Sequence, residues 1–250
     1  MRNTGQTGGT PDADIDADAA WNIFTGSSNV VVAVTDSGIN YNHIDLQTNI
    51  WVNPGESGDS KETDGIDNDG NGYVDDWRGW DFYNGDNNPM DSYSHGTHVA
   101  GTIGAVGNND EGVTGVCWTV KLMALRCGTG GSISTDAAIS AIDYATDKKV
   151  NVINASWGGP NYYQSLYAAI NRARTKGILF VAAAGNYMGN TQWYDNDEKA
   201  VYPSCYDLDN IVSVLSTDHN DNRSSFSHYG KTTVDIGAPG RTNDGTNKDI

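Results

Sequence analysis

The sequence predicts an α/β protein with a central, mostly parallel sheet flanked by helices, and three observations carry that expectation. A continuous apolar run at residues 30–34 and apolar-rich, strand-like stretches at 120–126, 150–155 and 178–183 recur along the chain, as expected of buried strands. Amphipathic helical patterns at 134–149 and 163–176 separate the last three of these runs, so the crossovers are right-handed βαβ units. Three of the runs end in polar or small residues, at Asp36, Ser156 and Asn186. Parallel strands place those three at one carboxyl edge, where open α/β sheets hold their binding crevices.

The elements follow in order. Residues 1–11 are rich in Gly and Thr and read as an extended N-terminal arm. Asp12, Asp14, Asp16 and Asp18 alternate with small or apolar residues, a solvated face or helix start rather than a cation site, and residues 19–23 can close a helical turn. The first strand runs into Thr35-Asp36-Ser37-Gly38, which sets a carboxylate at its tip. Residues 95–104 begin with His95 and continue as a short Ala/Gly-rich helix. A flexible crossing is expected at 128–132, and Ser134 or Thr135 caps the next helix, whose apolar stripe is Ala138, Ile139, Ile142 and Ala145. Leu166, Ala169, Ile170 and Ala173 form the stripe of the second helix, which Gly177 stops. Later strands are expected at 211–215 and 233–236, with Ala238-Pro239-Gly240 as a break. No repeat or linker divides the chain, so residues 1–250 read as a single domain.

Charge narrows the partners. With 15 basic against 32 acidic residues and a net charge of −17, the chain has no basic run to neutralise phosphates. Nucleic acid and anionic membranes are therefore excluded as expected partners. No apolar run approaches the roughly 18 residues of a membrane helix, and none near Met1 resembles the core of a signal peptide. Cys117, Cys127 and Cys205 lack C-x-x-C spacing, which speaks against zinc. They form one disulfide with a leftover thiol or, the preferred reading, three buried thiols.

Carboxylates gathered in one loop point to a cation instead. In residues 64–76, Asp67, Asp69 and Asn71 alternate ahead of Gly72, the opening pattern of calcium loops. The Tyr73 carbonyl can add a ligand, but Arg78 stands where an EF-hand has its closing glutamate. Asp75 or Asp76 must then supply the closing carboxylate. A structural Ca²⁺ is the expected cofactor, because so many adjacent carboxylates otherwise repel one another.

An acid, an imidazole and an amide donor on one edge are the parts of an acyl-transfer site. Asp36 would orient the ring of His95, His95 would act as general base and then acid, and Asn186 would donate to the oxyanion. A metal hydrolase built on His95 and His98 is a weaker alternative, since no H-E-x-x-H glutamate or third ligand accompanies them.

The stretches Val-Ala-Val-Thr-Asp36-Ser-Gly, His95-Gly-Thr-His-Val-Ala-Gly-Thr, Asn154-Ala-Ser156-Trp-Gly-Gly and Ala-Ala-Ala-Gly-Asn186 resemble, in order, the signature motifs of subtilisin-like serine proteases. The resemblance spans about residues 3–240 and implies a three-layer subtilisin-like fold. It makes Asp36 and His95 the acid and base of a triad and Asn186 the oxyanion donor. It further implies that Gly130, Gly131 and Ser132, with Ser156, Trp157 and Gly158, pair with an extended peptide. Ala183, Ala184 and Gly185 would line the pocket for the residue before the scissile bond, with Val201 near its floor. Asp45 matches a structural calcium ligand, with carbonyls from residues 106–113. The implied activity is endopeptidase cleavage of proteins or peptides by a secreted monomer. The family's Gly-Thr-Ser-Met-Ala-type segment, bearing the nucleophile, is not among the 250 residues, nor are its C-terminal helices. The sequence-level expectation is therefore an incomplete, inactive catalytic domain, with a non-catalytic, calcium-stabilised peptide-binding module as the alternative.

Overall fold

The structure is a computed structural model describing residues 2–6, 8–129, 131–186 and 194–240. In chain order the elements are α1 (Ala17–Trp21), β1 (Gly26–Asp36), β2 (Gly79–Asp81), α2 (His95–Gly104), β3 (Thr119–Arg126), β4 (Gly128–Thr129) and β5 (Ser132–Ile133). There follow α3 (Thr135–Asp147), β6 (Val152–Ala155), α4 (Gln164–Thr175), β7 (Leu179–Ala183), β8 (Ile211–Thr217) and β9 (Ile236–Pro239). The chain forms two compact units: a larger one of Gly26–Ser156 and Ser165–Phe180, and a smaller one of Met1–Thr25, Trp157–Gln164 and Val181–Ile250.

In the larger unit the strand order is β2-β3-β1-β6, with the first residues of β7 following β6. β1 pairs in parallel with β3 on one side and β6 on the other, and its register sets Asp36 opposite Arg126. The alternation read from sequence therefore gives a parallel sheet. Val32, Val34, Leu122 and Ala124 of the sheet pack with Ala100 of α2 and with Ile39, Leu46 and Ile50 from the segment after β1. Each fully buried Leu or Ile of this kind contributes about 1.5–3 kcal/mol relative to exposure.

Small residues set how closely α2 approaches that sheet. Gly96, Ala100 and Gly104 recur every four residues and are its buried positions. A Cβ on Gly104 would lie 2.3 Å from Val120 Cγ1, and one on Gly96 would lie 2.1 Å from the Gly38 carbonyl oxygen. The helix start is thereby held against the tip of β1. Ser134 caps α3, accepting from the Ala137 N–H as its sequence suggests.

In the smaller unit the remainder of β7 is followed by β8 and then β9, and β8 and β9 run parallel. The strand expected at 233–236 begins only at Ile236 and runs through the expected break to Pro239. Pro239 lacks an amide donor, and β9 tolerates it because the strand order ends there. The flexible crossing expected at 128–132 contains two short antiparallel strands, β4 and β5. The N-terminal residues turn back rather than extend. Asn3 Nδ2 and the Thr10 amide both donate to the His219 carbonyl, at 2.9 and 3.0 Å. Cys117, Cys127 and Cys205 are all free thiols, but only Cys127 is buried as expected of all three; Cys117 and Cys205 are partly exposed. No helix among the described residues is long and apolar enough to cross a membrane.

Candidate active site

β1 delivers Asp36 and α2 begins with His95, and the contact between these elements brings the two side chains together. His95 Nδ1 lies 2.7 Å from Asp36 Oδ1. The same oxygen accepts from the Ser37 amide, also at 2.7 Å. Asp36 is buried, whereas the His95 side chain is 48% exposed. A buried carboxylate next to Nδ1 favours the tautomer with its proton there, which leaves Nε2 free to accept one from a nucleophile. The hydrogen bond to Asp36 raises the imidazole pKa above its ordinary value, against an opposing effect of partial burial; the Asp36 and Asp91 charges add to the rise. Cys127, whose amide donates to the Asp36 carbonyl, is fully buried. Burial, reinforced by Asp36 and Asp81, pushes its thiol well up, so it stays neutral.

Asp91 was not singled out by sequence reasoning, yet it orders this region. Ser94, the N-cap of α2, has a left-handed backbone and makes no side-chain cap. Asp91 replaces that cap: Oδ2 accepts from Thr97 N at 2.9 Å and from Thr97 Oγ1, while Oδ1 accepts from the amides of Tyr93 and Ser94. Ser37 Oγ donates to Asp91 Oδ1 at 2.9 Å and accepts from the Gly96 amide at 3.0 Å. One carboxylate and one hydroxyl therefore tie the residue after Asp36 to the residue after His95. Burial alone would raise the Asp91 pKa, but its hydrogen bonds from Thr97, Tyr93 and Ser37 outweigh that and hold it below the usual carboxylate value. The available sequence signal was an aspartate four residues before the helix-starting histidine.

Of the remaining candidates in the larger unit, Gly131 immediately precedes β5 and Ser132 is its first residue, both exposed, while Gly130 lies outside the described residues. Ser156 follows β6, and its Oγ accepts from Asn154 Nδ2 at 2.9 Å. His98 is exposed on α2. Among the described residues the cluster that could hold a metal is Glu56, Asp69 and Asp76, so His95 and His98 gather no further ligand.

The cation-ligand candidates separate in space. Asp45 is buried, its Oδ1 accepting from Asn109 Nδ2 and its Oδ2 from the Val113 amide, both at 2.9 Å. The 108–113 loop thus folds around it. Asp67 turns its two oxygens to the amides of Asn71 and Gly72, and Asn71 Oδ1 accepts from the Tyr73 amide. Asp75 points to the Gly65 amide, whereas Asp76 is fully buried beside Asp69 and Glu56. The Tyr73 ring packs edge-on against Trp80, Phe82 and Tyr144.

Trp157, Gly158, Ala183, Ala184, Gly185 and Asn186 belong to the smaller unit. Gly159 and Tyr202 exchange two backbone hydrogen bonds of 2.8 Å, which brings Val201 alongside. A Cβ on Gly158 would meet Val201 Cγ1 at 3.0 Å and one on Gly185 would meet it at 3.3 Å, so Val201 stands between these glycines. Asn186 is exposed and bridges to Ser227 through the backbone. The turn before it is held by His228, whose amide donates to the Gly185 carbonyl, and by Asn196, which donates to the Ala184 carbonyl.

A model of the subtilase family matches residues 27–249. Thermitase of Thermoactinomyces vulgaris is 37% identical over 227 residues, covering 90% of this chain and 68% of that protein. A thermophilic serine proteinase of Bacillus sp. (strain AK1) is 35% identical over 89% of this chain, which spans only 47% of the relative. The crystal structure of MycP1 with its N-terminal propeptide removed superposes with a TM-score of 0.66 at 26% identity, covering 90% of this chain and 68% of that one.

Proposed function

Because the chain belongs to the subtilase family, we propose that Asp36 and His95 are the acid and base of a serine endopeptidase that cleaves proteins or peptides. The observation that carries this reading is the 2.7 Å contact between His95 Nδ1 and Asp36 Oδ1 at the joined tips of β1 and α2. In this mechanism His95 Nε2 takes the proton of a hydroxyl nucleophile as it attacks the scissile carbonyl, then returns it to the leaving amine. Asp36 fixes the tautomer and stabilises the imidazolium without itself becoming protonated. Asn186 donates its side-chain amide to the oxyanion. Ala183, Ala184 and Gly185, over Val201, receive the residue before the scissile bond. Gly130, Gly131 and Ser132, with Ser156, Trp157 and Gly158, pair with the peptide backbone. No Gly-Thr-Ser segment occurs in the 250 residues, so no serine is assigned as nucleophile.

The same reading treats the chain as one functional domain, acting outside the cell as a monomer and carrying structural calcium. A calcium ion suits the oxygen-only donors around Asp45 and in the loop bearing Asp67, Asp69, Asn71, Tyr73 and Asp75. The orphaned oxygen of buried Glu56 beside Asp69 supports a cation at the second location. When bound, calcium would pin these loops without taking part in the chemistry.

The 250-residue polypeptide alone should leave casein uncut, and hydrolysis abolished by His95→Ala would overturn its assignment as inactive. Joined to a relative's segment carrying the Gly-Thr-Ser motif, the same residues should yield a casein-cleaving chimera that Asp36→Ala or His95→Ala silences. A folded chimera without cleavage, or one indifferent to both substitutions, would refute the endopeptidase reading.

A further inference from the structure

Ala184, Gly185 and Asn186 follow the end of β7, and two buried residues of the smaller unit, Asn196 and His228, engage all three. Asn196 Nδ2 donates to the Ala184 carbonyl at 2.7 Å, and the His228 amide donates to the Gly185 carbonyl at 2.9 Å. The His228 ring adds a hydrogen bond with the Asn186 backbone. It also lies against the turn, since a Cβ on Gly185 would meet ring atoms Cγ and Nδ1 at 3.2 Å. Gly185 has a φ of 115°, a conformation that glycine adopts freely. Both holding residues are themselves fixed. The Asn196 amide donates to the Tyr229 carbonyl at 2.7 Å. Ser227, beside His228, is buried, pairs with Asn186 through the backbone and accepts from the Ser216 amide of β8 at 2.9 Å.

The 3.0 Å contact between His228 Nδ1 and Asn196 Oδ1 has one consistent proton assignment. The Ala184 carbonyl only accepts, so the Asn196 amide nitrogen faces it and the amide oxygen faces the ring. Nδ1 must then carry the proton it donates. Burial above all, together with the Arg223 guanidinium, holds the ring's pKa below its ordinary value, against the opposing hydrogen bond with Asn186. The ring is therefore neutral at neutral pH. The Tyr194 ring packs edge-on to it, centred 6.1 Å away.

We propose that His228, paired with Asn196, is a positioning residue for the oxyanion donor, holding the 184–186 turn in place as the neutral Nδ1–H tautomer. The proposal rests on the reading of Asn186 as that donor. Such donors act because they are aimed before the reaction begins, and small displacements forfeit much of their effect. A proton added to His228 brings a second positive charge near Arg223 and turns Nε2 into a donor, so the ring's bonds to the turn must rearrange.

NMR of the full chain tests this without any turnover. The Asn186 amide signals should shift with the midpoint of the His228 ring, below about 6.5, and not with that of His95, which lies above it. Asn186 signals that ignore the His228 titration would overturn the proposal. In the chimera carrying the Gly-Thr-Ser motif, His228→Phe keeps a ring but removes its donor. It should lower kcat about tenfold and change KM less than about threefold. His228→Asn, whose side-chain amide reproduces the Nδ1–H, should recover most of that loss. A ring that merely fills space gives the reverse order, so a harmless Phe, or an Asn no better than Phe, would overturn the proposal. Asn186→Ala separates the two readings. If it leaves kcat unchanged, the oxyanion assignment fails and the proposal with it; if it is damaging while His228→Phe is not, the proposal alone fails. Should His228→Phe not fold, or the chimera not cleave, the titration of the parent chain decides.

Discussion

Ser37 Oγ sits between Asp91 Oδ1, to which it donates at 2.9 Å, and the Gly96 amide, from which it accepts at 3.0 Å. The hydroxyl beside the acid thus bonds both the capping carboxylate of α2 and the residue next to the base. The hydrogen-bonded dyad is accordingly one part of a continuous polar assembly.

Asp36 should govern the titration of His95. In Asp36→Asn the ring pKa should fall from its raised value toward or below about 6.5, because the carboxylate that favours the imidazolium is gone. For a raised histidine pKa, the stabilisation is fully present below the unfolded value and is lost as pH rises through the folded one. The substitution should therefore remove a contribution seen in mildly acidic solution. NMR titration of the His95 ring checks this; an unmoved midpoint would contradict the assigned contact.

Removing the surrogate cap should loosen the start of α2. Asp91→Ala strips acceptors from the amides of Tyr93, Ser94 and Thr97, and should cost about 1–3 kcal/mol at neutral pH. The depressed carboxylate pKa means this stability is present above the unfolded value of about 3.9 and is lost as pH falls through the folded value. Urea unfolding at neutral pH and near pH 3 should show the gap between variant and parent closing in acid. A gap that widened in acid would reverse the sign argued here.

Two glycines of α2 should respond oppositely to alanine. At Gly96 the new methyl would lie 2.1 Å from the Gly38 carbonyl oxygen and 3.0 Å from Asp36 Cβ, with backbone on one side unable to yield cheaply. A loss of about 2 kcal/mol or more is expected. At Gly101 nothing lies within 4 Å, and alanine should stabilise by about 0.5–1 kcal/mol through helix propensity. Urea midpoints for both variants decide the matter, and equal shifts would refute the close docking of α2.

Calcium should act on stability rather than chemistry. Adding the ion at about a hundred times its dissociation constant should stabilise the parent by about 2.7 kcal/mol, and a chelator should reverse the gain. Asp45→Asn should reduce the gain, since the carboxylate enclosed by the 108–113 loop loses its charge. Thermal midpoints with and without calcium measure this. A parent indifferent to calcium would end the structural-ion reading.

The contrast between what could be read in the chain and what could not follows sequence separation. β1 with Asp36 and α2 with His95 were legible because hydrophobic run, polar tip and small-residue helix are each contiguous. The parallel sheet followed from the alternation of such units. Asp91 was hidden because its role arises only when its turn closes on the helix start. Glu56 was hidden for a similar reason: no local pattern joins it to Asp69 and Asp76, which only tertiary folding brings to its side chain. β4 and β5 were missed because two-residue strands carry no periodicity. β9 was displaced because Pro239 reads as a break unless its edge position is known.

Cys127, fully buried and one residue beyond β3, turns the fold into its own reporter. A thiol-specific reagent cannot reach it while the β1 and β3 tips stay together, so its labelling rate should follow how often that edge opens. The two other, partly exposed thiols give the comparison within the same molecule. Mass spectrometry of pulse-labelled protein could thus follow the integrity of the candidate catalytic edge without any substrate, and without altering a residue of the dyad.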